Sequence, residues 1–431
     1  MIFRQIEDKD LAQYSYLIGC QKTKEAIIVD PQRDIDKYYD IAEKENVEII
    51  KAIDTHIHAD YLTGLREFAE RKVKVYGSKE GGDDWQYDWL LNSNYSYELV
   101  GDKDEIQIGN IILKAIHTPG HTPEHLTYLV IDKVRSDQPM GALTGDFIFV
   151  GDVGRPDLLE SAAKIEGEME PSARTLFNSI REFKKQSPGL MIFPGHGSGS
   201  ACGKSLGAVP YTTMGYEIQS NPALKFEDEE SFVNYILEDQ PEPPMYFAKM
   251  KKQNKEGPKL YKYKELEKLE KPRGIILNLT QNYNINAIKA KPGKQVAETA
   301  GSYIDEHDEI TLLGNKNLNW AEKTLMKIGL DNVSGFIEEL EETIQTQKES
   351  YQLLDVRKSG ERKESPVPNS IHAPHTRLPE HLNELDKDKE ILVFCETGDR
   401  SERAASYLRV KGYTARSIRG TKEARNIKIF K

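Results

Sequence analysis

Four short segments of this 431-residue chain carry metal-binding side chains, and each of them closes an apolar stretch. THIHADY holds His56 and His58, TPGHT holds His121, LTGD holds Asp146, and FPGHG holds His196. One histidine alone is more often a structural group than a ligand. Four such segments together favour a fold in which strand ends bring imidazoles and a carboxylate to one metal site.

The residues around these segments alternate between strand-like and helix-like patterns. AIIVD (26–30) and EIIKAIDTH (48–56) predict buried strands, and IDKYYDIAEKENV (35–47) between them predicts an amphipathic helix. IQIGNIILKAIHTPGHTPEHLTYLV (106–130) predicts two strands joined by a histidine-bearing turn. Residues 1–245 are therefore expected to form a layered α/β domain with its ligands at strand ends.

Composition excludes several classes of partner. Charged residues make up 30% of the chain, and no stretch approaches the roughly 20 apolar residues that a membrane helix requires. The formal net charge of −11 argues against a nucleic-acid partner, since the phosphate backbone selects basic surfaces. Cys20, Cys202 and Cys395 are widely spaced, which is typical of free thiols in a reducing compartment. We expect a cytoplasmic protein that binds neither membrane nor nucleic acid.

The chain beyond residue 245 repeats itself. Proline-rich QPEPP (240–244) and the lysine-rich stretch after it predict a linker over residues 246–270. EITLLGNKNLNWAEKTLMKIGLDNV (309–333) and EILVFCETGDRSERAASYLRVKGYTA (390–415) share one layout, which is an apolar strand, a polar loop and an amphipathic helix. Two similar α/β domains are therefore expected, at 271–348 and 349–431.

THIHADY, TPGHT, TGD and PGHG, in this order, resemble the metallo-β-lactamase fold, and its glyoxalase II and persulfide dioxygenase branch in particular. The resemblance implies an αββα sandwich for the first domain. In the hydrolytic members a second metal would need an imidazole at the position of Tyr61, and a phenol is a much poorer ligand. The other second-site candidates are Asp60, Asp146 and His196, so this second site lacks its imidazole.

The persulfide dioxygenases suggest a single metal instead. Their pattern implies one Fe(II) per chain held by His56, His121 and Asp146, and two imidazoles with one carboxylate suit O₂ activation at non-heme iron. The resemblance also implies outer groups that orient these ligands or line the pocket. These outer groups are His58, Asp60, Tyr61, Arg155 and His196. A zinc-binding thioesterase of the glyoxalase II kind remains the alternative.

Two cysteines are candidates for sulfur chemistry. Cys395 follows a predicted strand and opens a loop into a helix, where backbone N–H groups, the helix N-terminus and Arg400 would stabilise a thiolate. This C-x4-R spacing resembles rhodanese, whereas tyrosine phosphatases use C-x5-R. Gly314 takes the equivalent place in the preceding repeat. Two rhodanese-like α/β domains are therefore expected, of which the first is inactive and serves as a spacer or assembly surface. Cys202 lies six residues past His196 in a glycine- and serine-rich loop, where a thiol could accept or pass on sulfur.

The domain order resembles the bacterial persulfide dioxygenase and sulfurtransferase fusions of sulfide detoxification. The resemblance implies that a low-molecular-weight thiol persulfide is oxidised with O₂ to sulfite and thiol. It also implies that Cys395 transfers sulfane sulfur to sulfite, which gives thiosulfate. The expected partners are the persulfide, O₂ and sulfite, and a homo-oligomer, either dimer or tetramer, is expected. A thioester hydrolase with an accessory rhodanese tail is the alternative.

Overall fold

The computed structural model describes residues 1–158, 167–238, 240, 242–282, 285–292, 295–341 and 348–427. The chain divides into two compact units, of which the first comprises residues 1–240 and 247–261 and the second comprises 241–246 and 262–431. Among the helices in these described ranges, none is long and apolar enough to cross a membrane. The expected domain junction at 348–349 directly follows residues 342–347, which lie outside the described residues.

The first unit opens with a six-stranded mixed sheet whose strand order follows the sequence. Its strands are β1 (Ile2–Asp8), β2 (Gln13–Gly19), β3 (Glu25–Val29), β4 (Glu48–Ile53), β5 (Lys74–Ser78) and β6 (Tyr97–Val100). β1, β2 and β3 pair antiparallel, and β3 to β6 pair parallel. Successive side chains of β2 enter different cores, with Tyr16 and Ile18 on one face and Leu17 on the other. Burial of both faces explains why the Tyr16–Ile18 run of this strand is apolar at successive positions.

A second six-stranded sheet packs against the first. In spatial order it contains β12 (Thr212–Thr213), β11 (Met191–Pro194), β10 (Gly141–Gly145), β9 (Leu126–Asp132), β8 (Ile111–His117) and β7 (Glu105–Ile108). Ile27 and Val29 of the first sheet share one buried cluster with Leu113, Tyr128 and Val130 of the second. The centre of the unit is therefore a sheet-on-sheet core.

Helices cover the outer face of each sheet. α1 (Asp36–Lys44), α2 (Leu65–Glu70) and α3 (Asp88–Leu91) pack on the first sheet through a second apolar cluster. α4 (Met169–Phe183), α5 (Met214–Ser220) and α6 (Glu229–Leu237) pack on the second sheet through a third. Short 3₁₀ turns lie at Asp83–Trp85 and Pro222–Lys225. The layers are helix, sheet, sheet and helix, so the expected αββα sandwich is present.

The segment for which a linker is expected contains a helix, α7 (Phe247–Glu256). Phe247, Met250 and Asn254 of this helix are buried, and residues 247–261 belong to the first unit. Of its lysines, Lys252 is exposed, whereas Lys251 shares the buried face and lies 3.6 Å over the ring of Trp85. An amphipathic face of this kind is difficult to recognise within a stretch dominated by charge.

The second unit contains two four-stranded parallel sheets with the same strand order. The first comprises β14 (Ile288–Lys289), β13 (Ile275–Asn278), β15 (Ile310–Leu313) and β16 (Val333–Ile337), with helices α8 (Gln295–Tyr303) and α9 (Leu318–Lys327). The second comprises β18 (Ser370–His372), β17 (Tyr351–Asp355), β19 (Glu390–Phe394) and β20 (Ala415–Ile418), with helices α10 (Ser359–Glu364), α11 (Asp399–Val410) and α12 (Gly420–Asn426) and a 3₁₀ turn at Leu378–Glu384. The shared order agrees with the repeat in the sequence.

Candidate metal centre and sulfur-transfer loop

Three of the predicted ligands meet at one buried point of the first unit. His56 lies just after β4, His121 lies in the turn between β8 and β9, and Asp146 directly follows β10. Asp146 Oδ2 is 3.9 Å from His56 Nε2 and 3.6 Å from His121 Nε2. All three residues are buried, and their ligand atoms lie within 4.8 Å of one another. This spacing is compatible with one metal ion between them.

Hydrogen bonds fix which ring nitrogen of each histidine faces the centre. His121 Nδ1 donates to the carbonyl oxygen of Arg155 at 2.9 Å, which leaves Nε2 as a lone-pair donor. His56 Nδ1 lies 2.9 Å from Thr55 Oγ1, whose own proton goes to Asp30 Oδ2 at 3.1 Å. Burial and the neighbouring imidazoles hold the pKa of His56 well below its usual value. Both imidazoles are therefore neutral and turn their unprotonated nitrogens inward.

The carboxylate of Asp146 supports a metal site more directly. Its Oδ1 accepts a hydrogen bond from His196 Nδ1 at 2.6 Å, whereas Oδ2 is buried and has no hydrogen-bond partner among the described residues. A buried carboxylate oxygen without a partner is costly, and a cation between it and two Nε2 atoms would remove that cost. The donor set thus fits a divalent metal. Burial opposes ionisation, but His196 holds the pKa of Asp146 below its usual range.

Glycines in the LTGD and PGH motifs permit this close approach. A Cβ on Gly195 would stand 2.7 Å from Asp146 Oδ1. Gly145 adopts a φ of 48°, and a Cβ there would stand 2.4 Å from Thr55 Oγ1. A side chain at either position would push apart the segments that carry the ligands.

His58 and Tyr61, in the turn that carries the THIHADY segment, belong to one hydrogen-bond network. His58 Nε2 lies 3.2 Å from Asp30 Oδ1 and 2.9 Å from the hydroxyl of Tyr61. That hydroxyl also accepts a hydrogen bond from Gln13 Nε2 at 3.1 Å. Burial alone would lower the pKa of His58, but the hydrogen bond to Asp30 and its charge raise it to about 9. The Tyr61 hydroxyl therefore serves as a hydrogen-bond partner of His58.

Asp60 and His196 lie beside the thiol of Cys202, at the place where the second metal of a binuclear site would be expected. His196 Nε2 is 2.8 Å from Asp60 Oδ2, and Cys202 Sγ lies within 4.8 Å of both ligand atoms. Cys202 is 1% exposed, although it lies in a glycine- and serine-rich loop. Burial, together with the charges of Asp146 and Asp60, raises the pKa of this thiol well above its usual value. The thiol is therefore protonated and enclosed.

Arg155 is also buried, and its guanidinium faces a carboxylate of the same chain. Nε and Nη2 donate to the two oxygens of Asp157 at 2.7 and 2.5 Å, and Nη1 donates to the carbonyl of Ala201 at 3.1 Å. A bidentate pair of this kind fixes both partners. The contact of Arg155 with the metal centre is its backbone carbonyl, which orients His121.

In the second unit, Cys395 directly follows β19 and is fully buried. Its Sγ accepts a hydrogen bond from the Gly398 amide at 3.1 Å and lies 3.5 Å from Ser401 Oγ. Gly398 adopts a φ of 101°, a conformation that favours glycine and lets its N–H point back at the sulfur immediately before α11. Burial opposes ionisation, yet Ser401, the Gly398 amide and the charge of Arg400 lower the pKa of Cys395. The loop is thus organised to hold a thiolate.

The guanidinium of Arg400 is paired with Glu361 of α10. Nη1 and Nη2 donate to the two carboxylate oxygens at 2.5 and 2.7 Å. This hydrogen bonding lowers the pKa of Glu361 to about 2 despite partial burial. Below the loop, the carboxylate of Asp355 accepts from Nε and Nη2 of Arg357 at 2.9 and 2.7 Å. Arg400 therefore acts on the sulfur as a nearby positive charge and also fastens α11 to α10.

Comparisons with known proteins match both halves of the chain. A model of the metallo-β-lactamase superfamily matches residues 8–196, and a model of the rhodanese-like domain matches residues 336–424. The crystal structure of a metallo-β-lactamase from Staphylococcus aureus subsp. aureus COL is 40% identical with a TM-score of 0.72, and the match covers 78% of this chain and 98% of that one. The chain belongs to the metallo-β-lactamase superfamily. Its fold, a metallo-β-lactamase domain followed by a rhodanese-like domain, is confirmed.

Curated members of this superfamily that resemble the chain carry more than one activity in their names. The mitochondrial persulfide dioxygenase ETHE1 of Bos taurus is 29% identical over 205 residues, which are 46% of this chain and 68% of that protein. The probable polyketide biosynthesis zinc-dependent hydrolase BaeB of Bacillus velezensis is 28% identical over 225 residues, which are 52% of this chain and 87% of that protein. Membership of the superfamily therefore indicates a metal site, and the residues around it have to decide the reaction.

The turn that carries the THIHADY segment is held by a residue that the sequence did not suggest. Asn254 of α7 is fully buried and donates from Nδ2 to the carbonyl oxygens of His58 and Tyr61, each at 2.9 Å. Its Oδ1 accepts from the amide of Thr63 at 2.9 Å. A second unsuspected residue, Glu124, accepts from the Ile57 amide at 2.6 Å. Both contacts join positions distant in sequence, and no local motif marks them.

We expect Asn254→Asp to weaken metal binding by about 10- to 100-fold, as much as the loss of a direct hydrogen-bond partner of a ligand. Aspartate can still accept from Thr63 but cannot donate to the two carbonyl groups, so the turn that carries His56 loses its support. Metal affinity measured by chelator competition checks this. Asn221→Asp is the matched control, because Asn221 is equally buried and bonds Glu217, Asp152 and Ala223 instead. Equal loss of affinity in both variants would show that general destabilisation is the cause.

Proposed function

We propose that the chain oxidises low-molecular-weight thiol persulfides with O₂ and then passes sulfane sulfur to the sulfite formed. The first reaction is assigned to one Fe(II) held by His56, His121 and Asp146, and the second to Cys395. The observation that carries the proposal is the geometry of Asp146, whose Oδ2 has no partner among the described residues and faces two Nε2 atoms. The persulfide dioxygenases among the curated relatives support the choice of substrate.

The two imidazoles and the carboxylate would hold a ferrous ion, which would supply O₂ activation. The protein side chains then have three tasks. His196 fixes the carboxylate of Asp146 through its 2.6 Å hydrogen bond, and Thr55 and the carbonyl of Arg155 fix the two imidazoles. Burial of the whole cluster excludes bulk water from the persulfide. The balanced reaction is RSSH + O₂ + H₂O → RSH + SO₃²⁻ + 2 H⁺.

The second reaction uses the thiolate that the Cys395 loop favours. The thiolate attacks the outer sulfur of a second persulfide, so that an S–S bond forms on Cys395 and the carrier leaves as its thiol. Sulfite then attacks the outer sulfur of the cysteine persulfide, and the S–S bond breaks to give thiosulfate and the original thiolate. The amide of Gly398 stabilises the thiolate as attacking and as leaving group.

Metal content and oxygen consumption test the proposal together. The purified protein, reconstituted anaerobically with Fe(II), is expected to hold one iron per chain and to consume one O₂ for each thiol persulfide. Two zinc ions per chain, with thioester hydrolysis and no O₂ uptake, would instead support a hydrolase. Sulfite and thiosulfate are quantified in the same reaction, so that the two steps are followed separately.

The position of Tyr61 predicts the metal stoichiometry. Tyr61→His supplies the imidazole that the second metal site of the hydrolytic members requires, and we expect bound metal to rise from one toward two ions per chain when Zn²⁺ is supplied. Tyr61→Phe is the control, because it removes the same hydroxyl without adding a ligand. Elemental analysis of both variants gives the result. If Tyr61→His still holds one ion, the residue at position 61 does not set the stoichiometry.

A further inference from the structure

The repeat without a cysteine contacts the helix that begins at the Cys395 loop. We call residues 275–337 the middle domain and residues 351–426 the loop domain; both belong to the second compact unit. Gly314 directly follows β15, as Cys395 directly follows β19, so the middle domain has no thiol at this position. Any part it has in sulfur transfer must therefore act through contacts with the loop domain.

The polar part of this contact centres on Glu298 of α8. Its carboxylate oxygens accept hydrogen bonds from His375 Nε2 at 2.7 Å and from Arg403 Nη1 at 3.1 Å. Arg403 Nη1 also donates to Thr299 Oγ1 at 3.1 Å. Partial burial opposes ionisation of Glu298, but His375 and Arg403 lower its pKa, so the carboxylate is charged. One side chain of the middle domain thus binds two separate elements of the loop domain.

Two further contacts extend along the same helix. The rings of Tyr303 and Tyr407 stack with centroids 4.4 Å apart and an interplanar angle of 9°. The backbone amide of Lys289 in β14 donates to Ser406 Oγ at 2.8 Å. Arg403, Ser406 and Tyr407 are three and four residues apart, which places them on one face of α11. The middle domain therefore holds α11 over more than one turn.

The start of α11 determines the surroundings of the sulfur. The amide of Gly398, the residue before α11, donates to Cys395 Sγ at 3.1 Å, and Ser401 in its first turn lies 3.5 Å from the same atom. A shift of the helix along its axis would lengthen both contacts, and hydrogen bonds weaken steeply with distance and angle. His375, the second partner of Glu298, lies in the segment after β18, where its amide donates to the carbonyl of Val356.

We propose that Glu298 is a positioning residue for the Cys395 loop, and that it acts by tying Arg403 of α11 to His375. The middle domain then has a function beyond that of a spacer, because it completes the support of the thiolate. The inference rests on the proposed sulfur-transfer function of Cys395 and adds a residue from the inactive repeat to it. Glu298 does not touch the sulfur, so its effect depends on the position of α11.

Glu298→Ala tests this role in the full-length protein, and the rate constant for alkylation of Cys395 by iodoacetamide at pH 7 reads it without any sulfur substrate. The modified cysteine is identified by mass spectrometry. We expect the rate constant to fall about tenfold, which corresponds to one unit in the pKa of the thiol. Glu298→Gln keeps one acceptor oxygen, so its alkylation rate constant should lie within about threefold of that of the protein without substitution. Glu338→Ala is the matched control, since Glu338 directly follows the middle domain, pairs with Lys268 and should change nothing.

The outcomes separate the positioning role from the proposed reaction. If the unmodified protein forms no thiosulfate while Glu298→Ala still slows alkylation, the transfer reaction is wrong and the positioning role stands. If the protein without substitution forms thiosulfate, and Glu298→Ala is alkylated at the same rate as that protein, the positioning role is wrong. A loss in Glu298→Ala that Glu298→Gln does not recover, with equal falls in melting temperature, would show general destabilisation and also overturn it.

Discussion

Replacing Asp146 by asparagine is expected to abolish iron binding and persulfide-dependent oxygen uptake. The amide keeps the shape of the carboxylate but presents a neutral group to the two Nε2 atoms, so a divalent cation loses its only anionic ligand in the proposed set. Loss of an outer-sphere partner already lowers metal affinity by about 10- to 100-fold, so loss of this ligand should lower iron affinity by more than 100-fold. Iron content and O₂ uptake, each measured after anaerobic reconstitution, give the result.

Asp60→Asn is the matched control for this variant. Both carboxylates accept a hydrogen bond from His196, at 2.6 Å for Asp146 and 2.8 Å for Asp60, but only Asp146 also faces His56 and His121. Asp60→Asn should therefore retain iron and lose at most about 100-fold in oxygen uptake. If the two variants lose iron equally, Asp60 is a ligand and the three-residue set is incomplete. Thiosulfate formation from added sulfite and persulfide should survive in both.

Much of the fold could be predicted because its signals are local. AIIVD corresponds to β3 at Glu25–Val29, and IDKYYDIAEKENV contains α1 at Asp36–Lys44. The repeated layout of 309–333 and 390–415 reappears as two parallel sheets with the same strand order. Apolar runs and amphipathic periods report the immediate surroundings of each residue. They are therefore readable without knowledge of the tertiary structure.

The candidate site could be predicted only in part because its supports are distant in sequence. The histidines and Asp146 stand next to small residues at strand ends, which is a local signal. Asn254 reaches the motif turn from 191 or more positions away, and Glu361 reaches Arg400 from 39 positions away. Contacts of this kind depend on how the chain closes on itself. The same reason applies to Cys202, because the composition of its loop does not show that tertiary packing buries it.

The proposed function would link the product of one site to the reaction at the other. Sulfite formed at the metal centre would be the nucleophile for the Cys395 persulfide, and the free thiol would be returned in both steps. The two sites also differ electrostatically. The metal centre combines neutral imidazoles with ionised Asp146, whereas the Cys395 loop lowers the pKa of a thiol. Variants of one site should therefore leave the other reaction measurable.

Cys395→Ser is expected to abolish thiosulfate formation and to leave oxygen uptake unchanged. A serine hydroxyl in the same loop is a far weaker nucleophile toward sulfur, and removing the nucleophile should cost at least about a thousandfold in transfer rate. Sulfite should then accumulate in proportion to the O₂ consumed, because its formation at the metal centre needs no cysteine. Ion chromatography of sulfite and thiosulfate over one reaction course measures both.

Cys202→Ser is the matched control, and it decides between one sulfur-carrying thiol and two. Cys202 is enclosed beside Asp60 and His196 with a raised pKa, whereas the loop around Cys395 lowers the pKa of its thiol. Only the thiolate is an effective sulfur nucleophile, so Cys202→Ser should keep thiosulfate output within about threefold of the unmodified protein. If Cys202→Ser instead consumes O₂ normally but accumulates sulfite as Cys395→Ser does, sulfur reaches Cys395 by way of Cys202, and the transfer sequence requires both thiols.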